Sequence, residues 1–279
     1  MLDCTRDMMA RPKVTISSLS VFFPCYNEEL NVERVTRSAL AVCREMVSDF
    51  EIIIVNDGSQ DRTGILAEQL AEQYAEVRVV HNSPNLGYGG ALQRGFKEAR
   101  KEWVFYTDGD GQFDFNELSR IVPLVKDYDI VSAFRVRRAD HLIRKVNAWA
   151  WGTLMNMLFD FSIKDVDCAF KLYPRRLFDQ IQMTSRGQLI DTEILARARK
   201  LGYRIGQIGV RHLPRTAGTQ TGNSFRAITQ AFKELIPFYR EMRRANGSVL
   251  PPSVRFEAGT NVINEQHVPL PENAISRQC

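Results

Sequence analysis

Three carboxylates fall within seven residues in the stretch YTDGDGQFDF (106–115), at Asp108, Asp110 and Asp114. Negative charges this close repel one another unless a cation is held among them. Asp108, Asp110 and Gln112 stand at alternate positions and offer oxygen donors. Oxygen ligands suit Mg²⁺ or Mn²⁺, ions that keep several waters and bind substrate phosphates. Gly109 and Gly111 permit a tight turn and a close approach of backbone to ligand. The stretch is not an EF-hand, because Ser119 stands where the twelve-residue loop would need its bidentate Glu. The competing reading is a plain Asp-Gly turn without a metal.

The elements that must position this loop follow from the apolar pattern. VTISSLSVFF (14–23), FEIIIVN (50–56), VRVVH (77–81), EWVFYT (102–107) and YDIVSA (128–133) are short β-branched and aromatic runs, and they predict strands buried on both faces. Residues 29–47, 61–75, 89–100 and 115–126 carry helical spacing between them. This alternation predicts an α/β fold with a mainly parallel sheet flanked by helices. In such a sheet a ligand sits beyond the carboxyl ends of the strands. PCYNEE (24–29), NDGSQD (56–61), NSPNLGYGG (82–90) and DGDGQFD (108–114) all fall at those ends, so four polar turns line one crevice.

The second half is less regular. Residues 142–163 are apolar but interrupted, residues 165–178 predict a turn, a short strand and a helix start, and residues 188–212 predict a helix stopped at Gly202 and then a strand. Phe225, Ile228, Phe232, Leu235, Tyr239 and Met242 share helical spacing in an amphipathic helix over 224–246, which Pro237 should kink or interrupt. The chain thus divides into a leader (1–13), a catalytic-type domain (14–223), that helix, and a tail (247–279) whose Pro, Gly, Asn and Glu content predicts disorder.

Composition narrows the function classes. A net charge of +4 over 279 residues is too mild to make nucleic acid the partner. Five cysteines without a CxxC pair fit a reducing compartment and argue against a disulfide framework or a zinc site. The N-terminal residues lack the apolar core of a secretory signal, and no apolar run nears the roughly 20 residues that span a bilayer. A cytoplasmic protein is expected, at most peripheral at the cytoplasmic membrane face.

VFFPCYNEE, EIIIVNDGSQDRT, NLGYGGALQRGF and FYTDGDGQFD, in this order, resemble the N-terminal half of family-2 inverting glycosyltransferases with the GT-A fold. SAFRVRR, DVDCAFKLYPR and YRIGQIGVRHLPRTAG extend the likeness to the dolichol-phosphate mannose synthase or polyprenyl-phosphate subgroup, over roughly 18–220. The resemblance implies that Pro24, Tyr26 and Glu28 line the nucleotide pocket, that Asp57 recognises the base, and that Gly87 lies in the loop beneath it. It implies that Asp108 and Gly109 belong to the donor site, with Asp108, Asp110 and Gln112 gathered around Mg²⁺ or Mn²⁺. Gly109 stands where many relatives carry Ala. Arg135, Arg144 and Arg215 match phosphate-binding arginines, and Arg suits a phosphate because its planar fork binds bidentately. A cation and guanidinium groups aimed at a departing nucleoside diphosphate would lower the barrier.

The acceptor turns on a different point. A hydroxyl must lose a proton as it attacks and needs a general base, whereas a lipid phosphate is already an anion. Asp191 and Glu193 in LIDTEIL are the late acids that could act as base or bind sugar hydroxyls; otherwise Asp191 caps a helix and Glu193 sits in its first turn. The hydroxyl-directed relatives' Q-x-x-R-W element is absent, which favours a phosphate acceptor. The expected function is therefore hexose transfer, mannose or glucose, from a GDP- or UDP-sugar to a polyprenyl phosphate, with Asp110, Asp191, Glu193 and Arg135 as catalytic candidates. The alternatives are transfer to a sugar, lipid or protein hydroxyl, and a nucleotide-binding module without turnover. Trp149, Trp151, Met155, Met157 and Phe159, or the basic-ended helix, could give peripheral membrane contact. GYGGAL (87–92) is not a dinucleotide fingerprint, since Leu92 takes the third glycine's place, and the four histidines have no metal-ligand spacing.

Overall fold

The computed structural model describes residues 16–136, 142–160, 162–215, 217 and 225–244, without the side chains of 142–148 and 225–228. The expected leader and tail lie outside the described residues, as does the side chain of Arg144. The elements are β1 (Ser18–Cys25), α1 (Val32–Met46), β2 (Asp49–Asn56), α2 (Thr63–Gln73), β3 (Val77–His81), α3 (Gly87–Glu98), β4 (Trp103–Thr107) and α4 (Leu118–Ile121). They continue with β5 (Ile130–Arg135), α5 (Leu142–Phe159), β6 (Phe170–Pro174), α6 (Leu177–Gln180), α7 (Ile190–Lys200), β7 (Ile205–Val210) and α8 (Phe225–Arg244).

The seven described strands form one sheet in the order β3-β2-β1-β4-β6-β5-β7. Neighbours run parallel except at β6, which is antiparallel to both β4 and β5. Reversal of β6 has a direct consequence for the crevice. Thr107, the last residue of β4, pairs with Phe170, the first of β6, so residues 165–169 arrive at the same edge as the carboxyl ends of the parallel strands. The central strands read as near-continuous apolar runs because both faces are covered, and Leu19, Val21, Phe22, Phe23 and Ile52–Val55 are all buried. On α1, Val32, Val35, Ala39, Leu40 and Cys43 are buried at i, i+3 and i+4 spacing, each large side chain stabilising the fold by roughly 1.5–3 kcal/mol.

Three expectations shift. The first strand ends two residues later than expected, taking Pro24 into the pairing with β2 but beyond the last rung with β4. The single helix expected over 115–126 is a 3₁₀ turn, the short α4 and a second 3₁₀ turn (Val122–Lys126), because Pro123 supplies no N–H to a continuous ladder. Asp114 caps the first of these turns, accepting from the Asn116 N–H, and so leaves the acidic group. Pro237, conversely, does not interrupt α8. It lies on the exposed side, where water can take up the carbonyl it leaves unpaired. The buried stripe of α8 is Ala231, Leu235 and Phe238, so Phe232 and Ile236 face outward. Gly202, at φ +87°, stops α7 as expected.

Candidate active site

At the ends of β1 and β2, a set of carboxylates holds backbone. Asp57 is buried; one of its oxygens accepts from the Asn82 amide at 2.8 Å and the Leu86 N–H at 2.9 Å, and the other from the Gly87 N–H at 3.0 Å. Three of its roughly four acceptor positions are therefore spent on the 82–87 loop. Asp57, expected to recognise the base, thus fixes the course of this loop, and Gly87, at φ +78°, makes the turn that lets two successive N–H groups reach it. Tyr26 is exposed at the rim. Glu28 is half-buried, accepting from the Asn31 amide at 2.6 Å and from Arg215 at 2.5 Å. Burial pushes its carboxyl up, as does the charge of Asp110, against the opposing pull of Asn31 and Arg215.

The acidic loop sits next to this pocket. Gly109 is packed under the end of β1: a Cβ there would lie 2.6 Å from the Pro24 carbonyl oxygen and 2.8 Å from the Cys25 sulfur. The alanine found in many relatives would not fit without a shift, so the departure noted in the sequence has a local cause. Asp110 accepts from the Gln112 N–H at 3.0 Å and lies 3.6 Å from Arg215. Gln112 is anchored at its amide nitrogen. Its amide donates to the Leu213 carbonyl at 3.0 Å, and the Leu213 N–H returns a bond to the Gln112 carbonyl at 2.8 Å. Gln112 straps the acidic loop to the segment after β7. Asp108 accepts from the Tyr88 hydroxyl at 3.2 Å. Burial, then Asp110 and Asp191, push its carboxyl up to about 8.

Among the described residues, no three His, Cys, Asp or Glu side chains form a ready-made metal cage. The two aspartates fit a divalent ion all the same. They are oxygen-only donors, the charge of Asp110 adds to burial in pushing the Asp108 carboxyl up, and Mg²⁺ or Mn²⁺ binds through one or two carboxylates plus substrate phosphates.

On the far side, one part-buried and one fully buried ion pair replace the carboxylate-to-amide clamps. Arg135 ends β5 and grips Asp165 with both arms of its fork, at 2.7 and 2.8 Å. The guanidinium expected to take a phosphate already holds a protein carboxylate. Arg215 bridges Glu28 and Asp110, and Arg34 also reaches the acidic loop, donating to the Gly111 carbonyl at 3.5 Å. The side chain of Arg144 lies outside the described residues. Asp191 and Glu193 both stand in the first turn of α7, with different surroundings. One Asp191 oxygen accepts from Lys171 at 2.6 Å and from the Tyr106 hydroxyl. Glu193 is fully buried and faces away from that pair, accepting from the Thr184 and Ser185 N–H groups at 2.7–3.0 Å and from Arg197 at 2.9 Å. Its oxygens are committed to the 184–185 turn, and Glu193 is withdrawn as a base.

The glycosyl transferase family 2 model matches residues 20–182, more than half of the chain. The chain belongs to the family-2 glycosyltransferases. Glycosyltransferase AglD of Haloferax volcanii is 30% identical over 69% of this chain and 32% of its own length. The undecaprenyl-phosphate 4-deoxy-4-formamido-L-arabinose transferase of Pectobacterium atrosepticum is 30% identical over 73% of this chain and 62% of its own. The dolichyl-phosphate beta-glucosyltransferase of Saccharomyces cerevisiae is 28% identical, with 69% and 66% covered. The chain therefore spans from a third to about two thirds of the length of these curated relatives. Among solved structures, glucosyl-3-phosphoglycerate synthase from Mycobacterium tuberculosis, in complex with Mn²⁺, UDP-glucose and phosphoglyceric acid, aligns at TM-score 0.64 and 19% identity over 80% of each chain. Mannosyl-3-phosphoglycerate synthase from Rubrobacter xylanophilus aligns at 0.61 and 17%, over 91% of this chain and 79% of its own. These likenesses show the expected GT-A fold.

This family-2 glycosyltransferase also carries crevice residues that sequence reasoning did not single out. Asp165 and Lys171 lie in the DVDCAFKLYPR segment, which was quoted only for its resemblance. Lys171 is completely buried and donates to Asp191, to the Cys168 carbonyl at 2.6 Å and to the Tyr106 hydroxyl at 3.1 Å. A lysine at the centre of an apolar strand was the available signal, since a buried ammonium requires a partner. Asp167 has one buried oxygen without a hydrogen-bond partner among the described residues. Tyr88 was passed over as part of a glycine-rich turn.

Proposed function

We propose that this chain transfers a hexose from a nucleoside-diphosphate sugar to a polyprenyl phosphate by a single in-line displacement. The donor side rests on Asp108 and Asp110 standing beside Arg215 at the carboxyl edge of the sheet. A divalent ion held there would neutralise charge growing on the departing diphosphate. Asp57 and the N–H groups it aligns shape the nucleotide pocket. Arg215, freed from Glu28 by a competing phosphate, is the guanidinium that would meet the diphosphate.

The acceptor side rests on what the late acids are doing. Glu193 is spent on the 184–185 turn, and an Asp191 oxygen is already shared by an ammonium and a phenol. Neither is disposed to take a proton from a hydroxyl, and a lipid phosphate needs none taken. Relatives named as acting on undecaprenyl phosphate and dolichyl phosphate support the same acceptor class. Asp191 then holds hydroxyls of the donor sugar.

Peripheral attachment at a membrane surface fits this acceptor. Of the residues expected there, Trp149 is 71% and Met157 75% exposed, whereas Met155 is buried, and Trp151 and Phe159 pack against Phe232 and Phe238 of α8. Phe232 and Ile236 add exposed apolar surface on α8, followed by Arg240, Arg243 and Arg244. No described helix is long and apolar enough to cross a membrane.

The test is transfer of labelled hexose from GDP-mannose or UDP-glucose, with Mn²⁺, to a short-chain polyprenyl phosphate or to the matching polyprenol. Product on the phosphate, with loss of about 10²–10³-fold in Asp110→Ala, is expected. Product on the alcohol alone, abolished in Asp191→Asn with nucleotide binding intact, would transfer the assignment to a hydroxyl acceptor.

A further inference from the structure

Two phenols each stand against an acid of the crevice. Lys171 and the Tyr106 hydroxyl meet at one oxygen of Asp191. The Tyr88 hydroxyl donates to Asp108 at 3.2 Å. Tyr88 is half-buried and stands in the first turn of α3, facing the loop that follows β4. A phenol offers one donor, so the Tyr88 hydrogen is committed to the Asp108 carboxylate.

The backbone under Tyr88 is fixed as firmly as its hydroxyl. On one side the Gly87 N–H is held by Asp57 at 3.0 Å, and on the other the Gly89 N–H is held by the Arg186 carbonyl at 2.8 Å. Gly89 is pressed so closely on the 185–186 backbone that a Cβ there would lie 2.5 Å from the Ser185 carbonyl oxygen. Tyr88 therefore joins the loop that forms the nucleotide pocket to the loop that carries the acidic pair.

We propose that Tyr88 is a positioning residue for Asp108, holding its carboxylate in the ligating orientation. The inference rests on the reading of Asp108 as a metal ligand under Proposed function. Groups that orient metal ligands from behind typically change metal affinity by 10–100-fold when removed. The same connection ties order in the nucleotide loop to order at the metal site.

The experiment measures Mn²⁺ affinity by calorimetry on the full chain in the presence of UDP or GDP, alongside nucleotide affinity without metal and thermal stability. Tyr88→Phe removes one oxygen and should weaken Mn²⁺ binding about tenfold, leaving metal-free nucleotide affinity within twofold. Tyr173→Phe is the control, because the Tyr173 hydroxyl is buried without a partner among the described residues. It should leave Mn²⁺ affinity unchanged. An unchanged Mn²⁺ affinity in Tyr88→Phe overturns the inference while leaving the metal site standing. Absence of Mn²⁺ binding in the unsubstituted protein overturns both readings together.

Discussion

The two sides of the crevice are held by different physics. On the β1–β2 side, Asp57 and Asp61 are clamped by neutral partners, backbone N–H groups and small polar side chains. On the β5–β6 side, Arg135–Asp165 and Lys171–Asp191 are charge pairs with little solvent. A carboxylate bound to backbone N–H groups fixes the course of a loop, which suits recognition of a flat base and ribose by shape. A buried ion pair keeps charge at a defined point, at considerable desolvation cost, and that cost makes sense where phosphates and sugar hydroxyls must be met. The difference predicts that breaking one side should chiefly alter nucleotide binding, and that breaking the other should chiefly alter folding and the chemical step.

The largest effect should come from unbalancing the buried pair. Lys171→Met leaves Asp191 in the interior with the Tyr106 hydroxyl as its remaining partner, and removal of one partner from such a pair costs about 3–5 kcal/mol. Urea denaturation should show that loss, and Lys171→Met combined with Asp191→Leu should recover most of it while remaining inactive. A single variant as stable as the parent would mean that the pair is not truly desolvated and would erase the contrast between the two sides.

The same contrast explains what was legible in the sequence. The first four strands lie between helices in strict alternation, so their apolar runs and the polar turns at their ends could be read in order, and β3 was placed to the residue. Past β4 the alternation fails. The strand β6 is short and reversed, and its Lys171 interrupts the apolar pattern that marks a central strand; the partners that make the lysine tolerable, Tyr106 and Asp191, are 65 and 20 residues away. Local pattern carries no information about such pairings. Asp191 and Glu193 could not be told apart for a related reason: acids two apart in one helical turn look equivalent in sequence, but they point in different directions, one toward Tyr106 and one toward Thr184. Arg135 was placed at the crevice as expected, whereas its bidentate hold on Asp165 depends on the turn before β6 reaching that edge. Asp108 and Asp110 could be singled out because the turn that brings them together is local, whereas their contacts with Tyr88 and Arg215 could not.

On the other side, Asp57→Asn is the matched perturbation. The amide keeps the shape of the carboxylate but turns a donor toward N–H groups that need an acceptor, so the Leu86 or Gly87 N–H loses its partner at about 1–3 kcal/mol. The loop should loosen before the fold does. Calorimetry should show nucleotide affinity falling by about tenfold, with the chemical step on bound donor less affected. If catalysis fell further than binding, the neutral clamp would belong to the chemistry as well, and the division between the two sides would not hold.

The smallest effect sharpens the contrast through pH. Burial, then the charges of Asp191 and Asp165, push the Asp167 carboxyl up to about 7, with Lys171 and Arg135 opposing. An acid that binds its proton more tightly folded than unfolded favours the fold while it is protonated. Its contribution is complete below the ordinary carboxylate range and is lost as pH rises through about 7. Asp167 should therefore lower the stability of the nucleotide-free protein between about pH 4 and pH 7 by no more than about 1.4 kcal/mol per pH unit, the limit for one proton. Asp108, pushed up to about 8, should add a second contribution of the same sign. Asp167→Asn cannot ionise and should remove its own share of that slope in urea titrations at stepped pH, leaving the share of Asp108. No comparable fall is expected from Asp61 on the opposite side, since hydrogen bonds from Thr63 and the Glu29 N–H hold its carboxyl below its usual range despite partial burial. A slope unchanged in Asp167→Asn would place that proton elsewhere, and the β6 side would no longer be distinguished by charge held against the solvent.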